Sequence, residues 1–171
     1  MPDYTMPTMT HPSLTFTALT DIGHAATVAS MMASLYAEDP SPHPIGQANF
    51  HRTIETLLTS PASGQIILFT QSAAPVGYAI LIPYWSNEFG GRILIVDELF
   101  VLPDHRGQGI AKIFFAHLKS TRPMQSVALA LEVTPTNTRA QKLYQSLGFH
   151  PRKNAAMICT WNELMTSSAR S

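Results

Sequence analysis

The sequence predicts a single α/β domain in which a mixed β-sheet carries helices on both faces. Strand and helix patterns follow one another in the order β-α-α-β-β-β-α-β-α-β-β. An apolar strand pattern at residues 93–101 gives way at a glycine-containing junction to a helical pattern at residues 109–118. A nearly all-apolar strand at residues 127–133 follows, and such continuous apolarity favours burial on both faces. The 171 residues suffice for one domain with a substantial core.

The first half of the chain predicts a strand, two helices and a β-meander. Residues 14–19 alternate apolar and polar side chains, as a half-buried strand does. Thr20 or Asp21 can cap the next helix, and three prolines between residues 40 and 44 must end it. Residues 65–70, 76–84 and 93–101 are typical of strands. The inner faces of the two helices should carry Val28, Met31, Met32, Leu35 and Tyr36, and then Phe50, Ile54, Leu57 and Leu58.

The second half predicts a last helix and a closing pair of strands. The helix spans residues 137–147 and ends at Gly148, and the strands occupy residues 149–152 and 155–161. We expect a flexible leader at residues 1–13, the folded domain at 14–163 and a disordered tail at 164–171. The single cysteine, Cys159, lies in an apolar stretch, which predicts a buried packing residue. One cysteine and the absence of a signal-peptide pattern predict a cytoplasmic protein with no membrane association.

Residues 101–111 (VLPDHRGQGIA) predict a pyrophosphate cradle. Small residues let several N–H groups converge on one anion, and the helix that follows adds its unpaired N-terminal donors. Arg106 supplies a planar cation beside them. The run lacks the Gly-Lys-Ser/Thr ending of a P-loop, and Lys112 stands where a dinucleotide fingerprint needs its third glycine. An ordinary strand-to-helix turn is the remaining alternative.

Two motifs resemble the GNAT superfamily of N-acetyltransferases. Arg106, Gly109 and Ala111 match the pattern Arg/Gln-x-x-Gly-x-Gly/Ala. Residues 137–149 look like the second pattern, Asn-x-x-Ala-x-x-Leu-Tyr-x-x-x-Gly-Phe, at the expected distance. The resemblance covers residues 65–161. It implies the GNAT fold, a mostly antiparallel mixed sheet with helices on both faces and a splayed strand pair, and it implies acetyl-CoA as cosubstrate without a metal.

The charges of the chain are segregated in a way that fits two ligands of opposite sign. Residues 1–104 carry nine acidic and two basic side chains, whereas residues 105–153 carry one acidic and eight basic ones. The three phosphate groups of coenzyme A suit the basic half and a cationic amine suits the acidic half. Nucleic acid is excluded as a partner because an equally acidic segment accompanies the basic one. The seven histidines show no metal-ligand spacing.

The resemblance assigns a set of residues to the coenzyme. A bulge in the strand at residues 93–101 would open a gap beside the next strand, where main-chain N–H groups near Leu99 and Val101 bind the pantetheine arm and polarise the thioester. Asn137 either contacts the coenzyme or only caps its helix. Arg139 meets a phosphate or, as we favour, lies on a solvated surface with Lys142. The full set is Leu99, Phe100, Val101, Arg106, Gly107, Gln108, Gly109, Ile110, Ala111, Lys112, Asn137, Arg139 and Tyr144.

Catalysis is assigned to a tyrosine and two carboxylates. Tyr144 matches the family tyrosine that protonates the leaving sulfur, although its spacing also fits a core-facing stripe. Asp97 and Glu98 are adjacent in a strand, so we expect them on opposite faces, with Asp97 slightly favoured as base or water relay. Residues 76–79 look similar to polyamine acetyltransferases, in which the two acids are exchanged.

The acceptor side is expected to use acidic and aromatic side chains from several segments: Tyr36, Glu38, Asp39, Tyr84, Trp85 and Glu132. The sequence therefore predicts direct acetyl transfer to the primary amine of a small molecule in a ternary complex. The alternatives are a protein lysine or N-terminal acetyltransferase, and a non-catalytic acyl-CoA-binding sensor. A homodimer is compatible with the family resemblance.

Overall fold

The structure, a computed structural model, describes residues 14–154 and 156–161, which form five strands and four α-helices. In chain order the elements are β1 (Leu14–Ala18), α1 (Ala25–Glu38), α2 (Gln47–Thr59), β2 (Gln65–Gln71), β3 (Ala74–Ser86), β4 (Gly91–Val101), α3 (Ile110–Thr121), β5 (Ala128–Leu131) and α4 (Thr138–Ser146). A short 3₁₀ turn precedes α1, and Asp21 caps it by accepting the Gly23 N–H. No helix in the described ranges combines the length and apolarity that crossing a membrane requires.

The sheet is mixed, and its one parallel pair separates along its length. The strands lie in the order β1-β2-β3-β4-β5, with antiparallel pairing up to β4 and parallel pairing between β4 and β5. The β5 strand pairs only with residues 93–96 of β4. Residues 97–101 of β4 continue beside β3 alone. The predicted mixed sheet and splayed strand pair are therefore confirmed.

Two apolar cores lie on opposite faces of the sheet, because the helices on each face turn an apolar side toward the strands. The α1 and α2 helices bury Val28, Met32, Phe50 and Ile54 against one face. On the other face, Phe114 of α3 is fully buried. The predicted inner faces of α1 and α2 are confirmed, including the packing role of both methionines.

The sequence predictions for the end of the chain are wrong in three respects. The β5 strand is shorter than predicted and only half-buried, because its outer edge faces no other strand among the described residues. The described parts of the predicted closing pair, residues 149–152 and 156–161, form no strand, since Met157 and Ile158 are 97% and 84% exposed and find no partner to pack on. Cys159 is consequently exposed and not buried. The predicted leader at 1–13 and tail at 164–171 lie outside the described residues.

Candidate active site

A β-bulge lies at the point where β4 leaves β5. Ile80 of β3 is paired with Glu98, whereas the next residue, Leu81, is paired with Val96, so Asp97 has no partner in the register. An extra residue of this kind bends the strand and re-aims the side chains around it. Since β5 pairs no further than Val96, alternate main-chain N–H and C=O groups beyond the bulge face an open gap. The predicted bulge is confirmed.

The bulge brings Asp97 and Glu98 to the same face of the sheet, which corrects the prediction that they point to opposite faces. Leu94 and Val96 pack in the core under α3, and beyond the bulge it is Leu99 that packs there. The alternation therefore skips one residue, and both carboxylates lie on the α1 side. Their charges interact accordingly: the carboxylate of Asp97 raises the pKa of Glu98.

Glu98 is held by two tyrosine hydroxyls. Tyr36 of α1 donates to Oε1 at 2.8 Å, and Tyr78 of β3 donates to Oε2 at 2.6 Å. Burial raises the pKa of Glu98, and the two hydrogen bonds act in the opposite direction. Burial and the neighbouring carboxylate raise the pKa of both tyrosines, so each remains a donor at neutral pH.

Asp97 differs from Glu98 in its surroundings. Its side chain is exposed and accepts no hydrogen bond from any described residue. Partial burial raises the pKa of Asp97, and the charge of Glu132, which follows β5, raises it further. The three predicted acids Asp97, Glu98 and Glu132 are therefore brought together around the gap between β4 and β5.

The N-terminus of α3 has the backbone geometry that the predicted cradle requires. Gly107 and Gly109 both have φ of +80°, a left-handed conformation that favours glycine. Gly109 is the N-cap of α3 and offers no side-chain cap, so the first N–H groups of the helix keep their donor capacity. The positive end of the helix dipole adds to the attraction for an anion.

A cavity of about 880 Å³ joins this cradle to the splayed strands. Every residue predicted for the coenzyme lines it except Gln108 and Tyr144. Arg139 and Lys142 line the cavity together with Lys112, and both side chains are exposed, so contact with a phosphate and a solvated surface both stay predictions. None of these three cations forms an ion pair with a described residue. Asn137 does cap α4, because its Oδ1 accepts the Ala140 N–H at 3.1 Å.

Arg106 is engaged with the protein itself. Its Nε donates to the Val101 carbonyl at 2.7 Å, and its guanidinium pairs with Glu38 at 2.8 Å and lies over the Phe100 ring. Glu38, predicted to bind an amine, is thus committed to Arg106. The pair ties the end of α1 to the cradle. Asp39, the next residue, also lines the cavity and accepts a bond from Thr134 at 3.4 Å.

Tyr144 lies in an aromatic cluster that packs against the core under α3. Its ring packs edge-on against Phe115 and Phe149, with centroids 5.8 and 5.9 Å away. Burial raises the pKa of Tyr144. Its hydroxyl makes no hydrogen bond to any described residue. This position is therefore compatible both with a packing role and with a role as general acid.

The aromatic pair of the β3–β4 hairpin lies away from the cavity. Tyr84 and Trp85 are 55% and 63% exposed and pair with Ile93 and Arg92 of β4. At about 3.3 Å per strand residue they are roughly 13 and 17 Å along the strand from Asp97. The structure does not bring them together with the other predicted site residues.

Sequence reasoning missed several residues of the site. Tyr78 was noted only within a family-like segment, and its fully buried position gives no local signal that its hydroxyl would meet Glu98. Leu35, Thr134 and Thr136 line the cavity from the end of α1 and the loop before α4. Their patterns are those of ordinary helix and loop residues, so only the tertiary arrangement identifies them.

The arrangement fits a long, phosphate-bearing thioester. The main-chain donors of the cradle and the three unpaired cations suit phosphates, and the gap beside the bulge suits an extended arm that takes the place of a paired strand. Within the described residues no group of three His, Cys, Asp or Glu side chains is placed to hold a metal ion.

The comparisons agree with this geometry. The model of the acetyltransferase (GNAT) family matches residues 29–149 of the chain. A possible acetyltransferase from Clostridium difficile 630 is similar in fold, with a TM-score of 0.75, 18% identity, and 86% and 97% of the two chains covered. The aminoglycoside N-acetyltransferase AAC(6')-Iy, solved in complex with CoA, gives a TM-score of 0.70 at 18% identity, covering 87% of this chain and 95% of that one.

A third structure of similar fold belongs to an enzyme named for a protein acceptor. The ribosomal-protein-alanine N-acetyltransferase from Brucella melitensis biovar Abortus 2308 has a TM-score of 0.69 at 22% identity, with 86% of this chain and 100% of that chain covered. Fold, cradle and family match together define an acyltransferase site. The chain belongs to the acetyltransferase (GNAT) family and is an acetyl-CoA-dependent N-acetyltransferase.

Proposed function

We propose that this protein transfers an acetyl group from acetyl-CoA to the primary amine of a small molecule by direct attack in a ternary complex. The observation that carries the proposal is the separation of charge between the cavity and the bulge. Lys112, Arg139 and Lys142 line the cavity, where Glu38 is paired with Arg106. Asp97, Glu98 and Glu132 lie outside that lining, near the gap at the bulge. A phosphorylated donor and a cationic acceptor would each meet the opposite sign there.

The chemistry divides among this chain's own groups. Acetyl-CoA supplies the activated acyl group when it is bound. Asp97 accepts a proton from the acceptor ammonium, directly or through a water, which leaves a neutral amine to attack. Main-chain N–H groups of β4 between Leu99 and Val101 stabilise the negative charge that develops on the acyl oxygen. As the carbon–sulfur bond breaks, the Tyr144 hydroxyl gives its proton to the departing thiolate. The attacking nitrogen loses its extra proton as the amide forms, and this proton restores the Tyr144 hydroxyl through solvent.

The environments of Asp97 and Tyr144 support these proposed roles. Glu98 already accepts a hydrogen bond on each oxygen, whereas Asp97 is exposed and accepts none from described residues, so Asp97 is the better placed base. A raised pKa keeps Tyr144 protonated, as a general acid requires.

A protein N-terminus or lysine is the second candidate acceptor. The exposed side chains of Tyr84, Trp85 and Phe89 favour it, because they leave the β3–β4 hairpin open and do not cap the cavity. A small amine needs no such surface, whereas a peptide chain could extend along it.

The test is acetyl-CoA-dependent thiol release by the purified protein at pH 8 with polyamines, amino acids, aminoglycosides and lysine or N-terminal peptides. Turnover with a small primary amine and little with peptides supports the proposal. Preferred turnover of a peptide contradicts the small-molecule assignment. Acetyl-CoA binding without turnover of any acceptor contradicts the enzymatic proposal and favours an acyl-CoA sensor.

A further inference from the structure

The Glu98 carboxylate joins three elements of the fold beside the bulge. Tyr36 belongs to α1, Tyr78 to β3 and Glu98 to β4, and the hydroxyls reach separate oxygens of the same carboxylate at 2.8 and 2.6 Å. Tyr78 is completely buried, and Tyr36 is fixed by stacking on Phe50, with ring centroids 5.8 Å apart. The carboxylate therefore has little freedom to rotate toward an acceptor.

We propose that Tyr36 and Tyr78 are positioning residues that hold Glu98 as a fixed, ionised carboxylate beside Asp97, and that Glu98 strengthens Asp97 as a base without touching the amine. This inference rests on the proposed function. It assigns the two adjacent acids different tasks and gives a task to a buried tyrosine hydroxyl outside the cavity lining.

The electrostatic effect between the carboxylates of Asp97 and Glu98 acts in both directions. Two neighbouring carboxylates each disfavour ionisation of the other, so an ionised Glu98 increases the proton affinity of Asp97. The groups that act on Glu98 are Tyr36 from α1, Tyr78 from β3 and Asp97 on its own strand, and Glu132 beyond β5 acts on Asp97. Among the described residues, only the two hydroxyls favour the ionised form of Glu98. Removing one of them therefore raises the pKa of Glu98.

The first experiment compares pH profiles of kcat/KM for wild type, Tyr36→Phe and Tyr78→Phe with one amine, whose own ionisation is common to all three. Each hydroxyl bond to a charged group is worth on the order of one pH unit. Because the proposed active form has both carboxylates ionised, the acid limb follows proton uptake by the Asp97–Glu98 pair. A raised pKa of Glu98 should therefore move this limb to higher pH by up to about that amount, with the plateau largely kept. An unmoved limb, or one moved to lower pH, overturns the proposal.

Two controls separate this role from a structural one. Thr15→Val removes a cross-strand hydroxyl bond to Thr70 at the far edge of the sheet and should leave the profile unchanged. In a Glu98→Gln background, adding Tyr36→Phe should no longer move the limb, and a persistent shift overturns the proposal. Tyr36→Phe keeps the ring that stacks on Phe50, so it carries the test if Tyr78→Phe does not fold.

A second readout needs no acceptor. Carbon-13 NMR titration of the Glu98 carboxyl in the unliganded protein should give a higher pKa in Tyr36→Phe than in wild type, and equal values overturn the proposal. If the wild-type protein acetylates no amine, the proposed function fails. The NMR comparison then still decides whether the two hydroxyls hold Glu98 ionised.

Discussion

The surroundings of Asp97, and with them the pKa of its carboxyl, depend on the β-bulge, which is one extra residue in β4. The bulge turns it to the same face as Glu98, where the nearby charge of Glu132 and partial burial raise its pKa. A carboxylate with increased proton affinity is better suited to take a proton from an ammonium group. The same environment makes its charge unfavourable for the folded state.

We predict that Asp97→Asn lowers kcat/KM by about 10²- to 10⁴-fold, the usual contribution of a general base. We also predict that it stabilises the fold at neutral pH. A carboxyl with a raised pKa stabilises the folded state below its unfolded value and loses that contribution as pH rises through the folded pKa. The Tm advantage of the variant should therefore be present at pH 8 and vanish as the pH falls below about 4.

Thermal unfolding across pH and steady-state kinetics check both effects. Glu55→Gln, an exposed carboxylate on α2, is the matched control and should change neither. Unchanged activity in Asp97→Asn would exclude Asp97 as the base. A Tm advantage that grows toward low pH would contradict the raised pKa.

Tyr144 allows packing and catalysis to be separated. Phenylalanine preserves the edge-on contacts with Phe115 and Phe149 and removes only the hydroxyl. We predict that Tyr144→Phe keeps its Tm and its acetyl-CoA affinity and loses about 10²-fold or more in kcat. Calorimetry, ligand binding and thiol release measure the three quantities. Full turnover in this variant would leave Tyr144 with the packing role alone.

For single residues, the sequence predicted which side chains belong to the site better than it predicted the directions in which they point. Asp97, Glu98 and Glu132 could be selected because carboxylates are rare in apolar strands. Their shared face could not, because a bulge shifts alternation by one residue and has no local signature here. The exposure of Tyr84 and Trp85 depends on how far the β3–β4 hairpin extends beyond the helices, which is a tertiary property.

Among the elements, the N-terminus of α3 is the proposed donor site. Gly109, which lines the cavity, adopts φ of +80° as the N-cap of α3, and a side chain there would strain the backbone. We predict that Gly109→Ala weakens acetyl-CoA binding at least several-fold, as measured by isothermal titration, while costing about 1–2 kcal/mol of stability.

Gly90→Ala is the matched control. Gly90 also has positive φ, +59°, and open space around it, but it lies at the tip of the β3–β4 hairpin. It should lose comparable stability and retain acetyl-CoA affinity. Equal affinity in the two variants would argue against the cradle.

The predictions succeeded for elements whose own sequence carries enough information. Helices α1 and α2 show clear apolar faces, and β2 to β4 are long apolar runs between turns, so their existence followed from pattern alone. The closing strands failed because residues 149–152 and 156–161 have strand-like composition but pair with no strand of the described part of the chain. A strand is stabilised by pairing, which local pattern does not report.

Over the whole molecule, the fold converts segregation along the chain into segregation in space. The cations of α3 and α4 line one part of the cavity, and the acids of β4 with Glu132 lie at the gap between β4 and β5. Glu38 is an exception, because it lines the cavity and pairs there with Arg106. The homodimer compatible with the family resemblance stays a prediction.

Direct acetyl transfer from acetyl-CoA to an amine at the β4 bulge is tested by initial rates of thiol release, measured while acetyl-CoA and the best small amine are both varied. We expect amine-dependent turnover with intersecting double-reciprocal lines, as a ternary complex requires. Parallel lines, which indicate an acetylated enzyme, or thiol release that no amine accelerates, would contradict it.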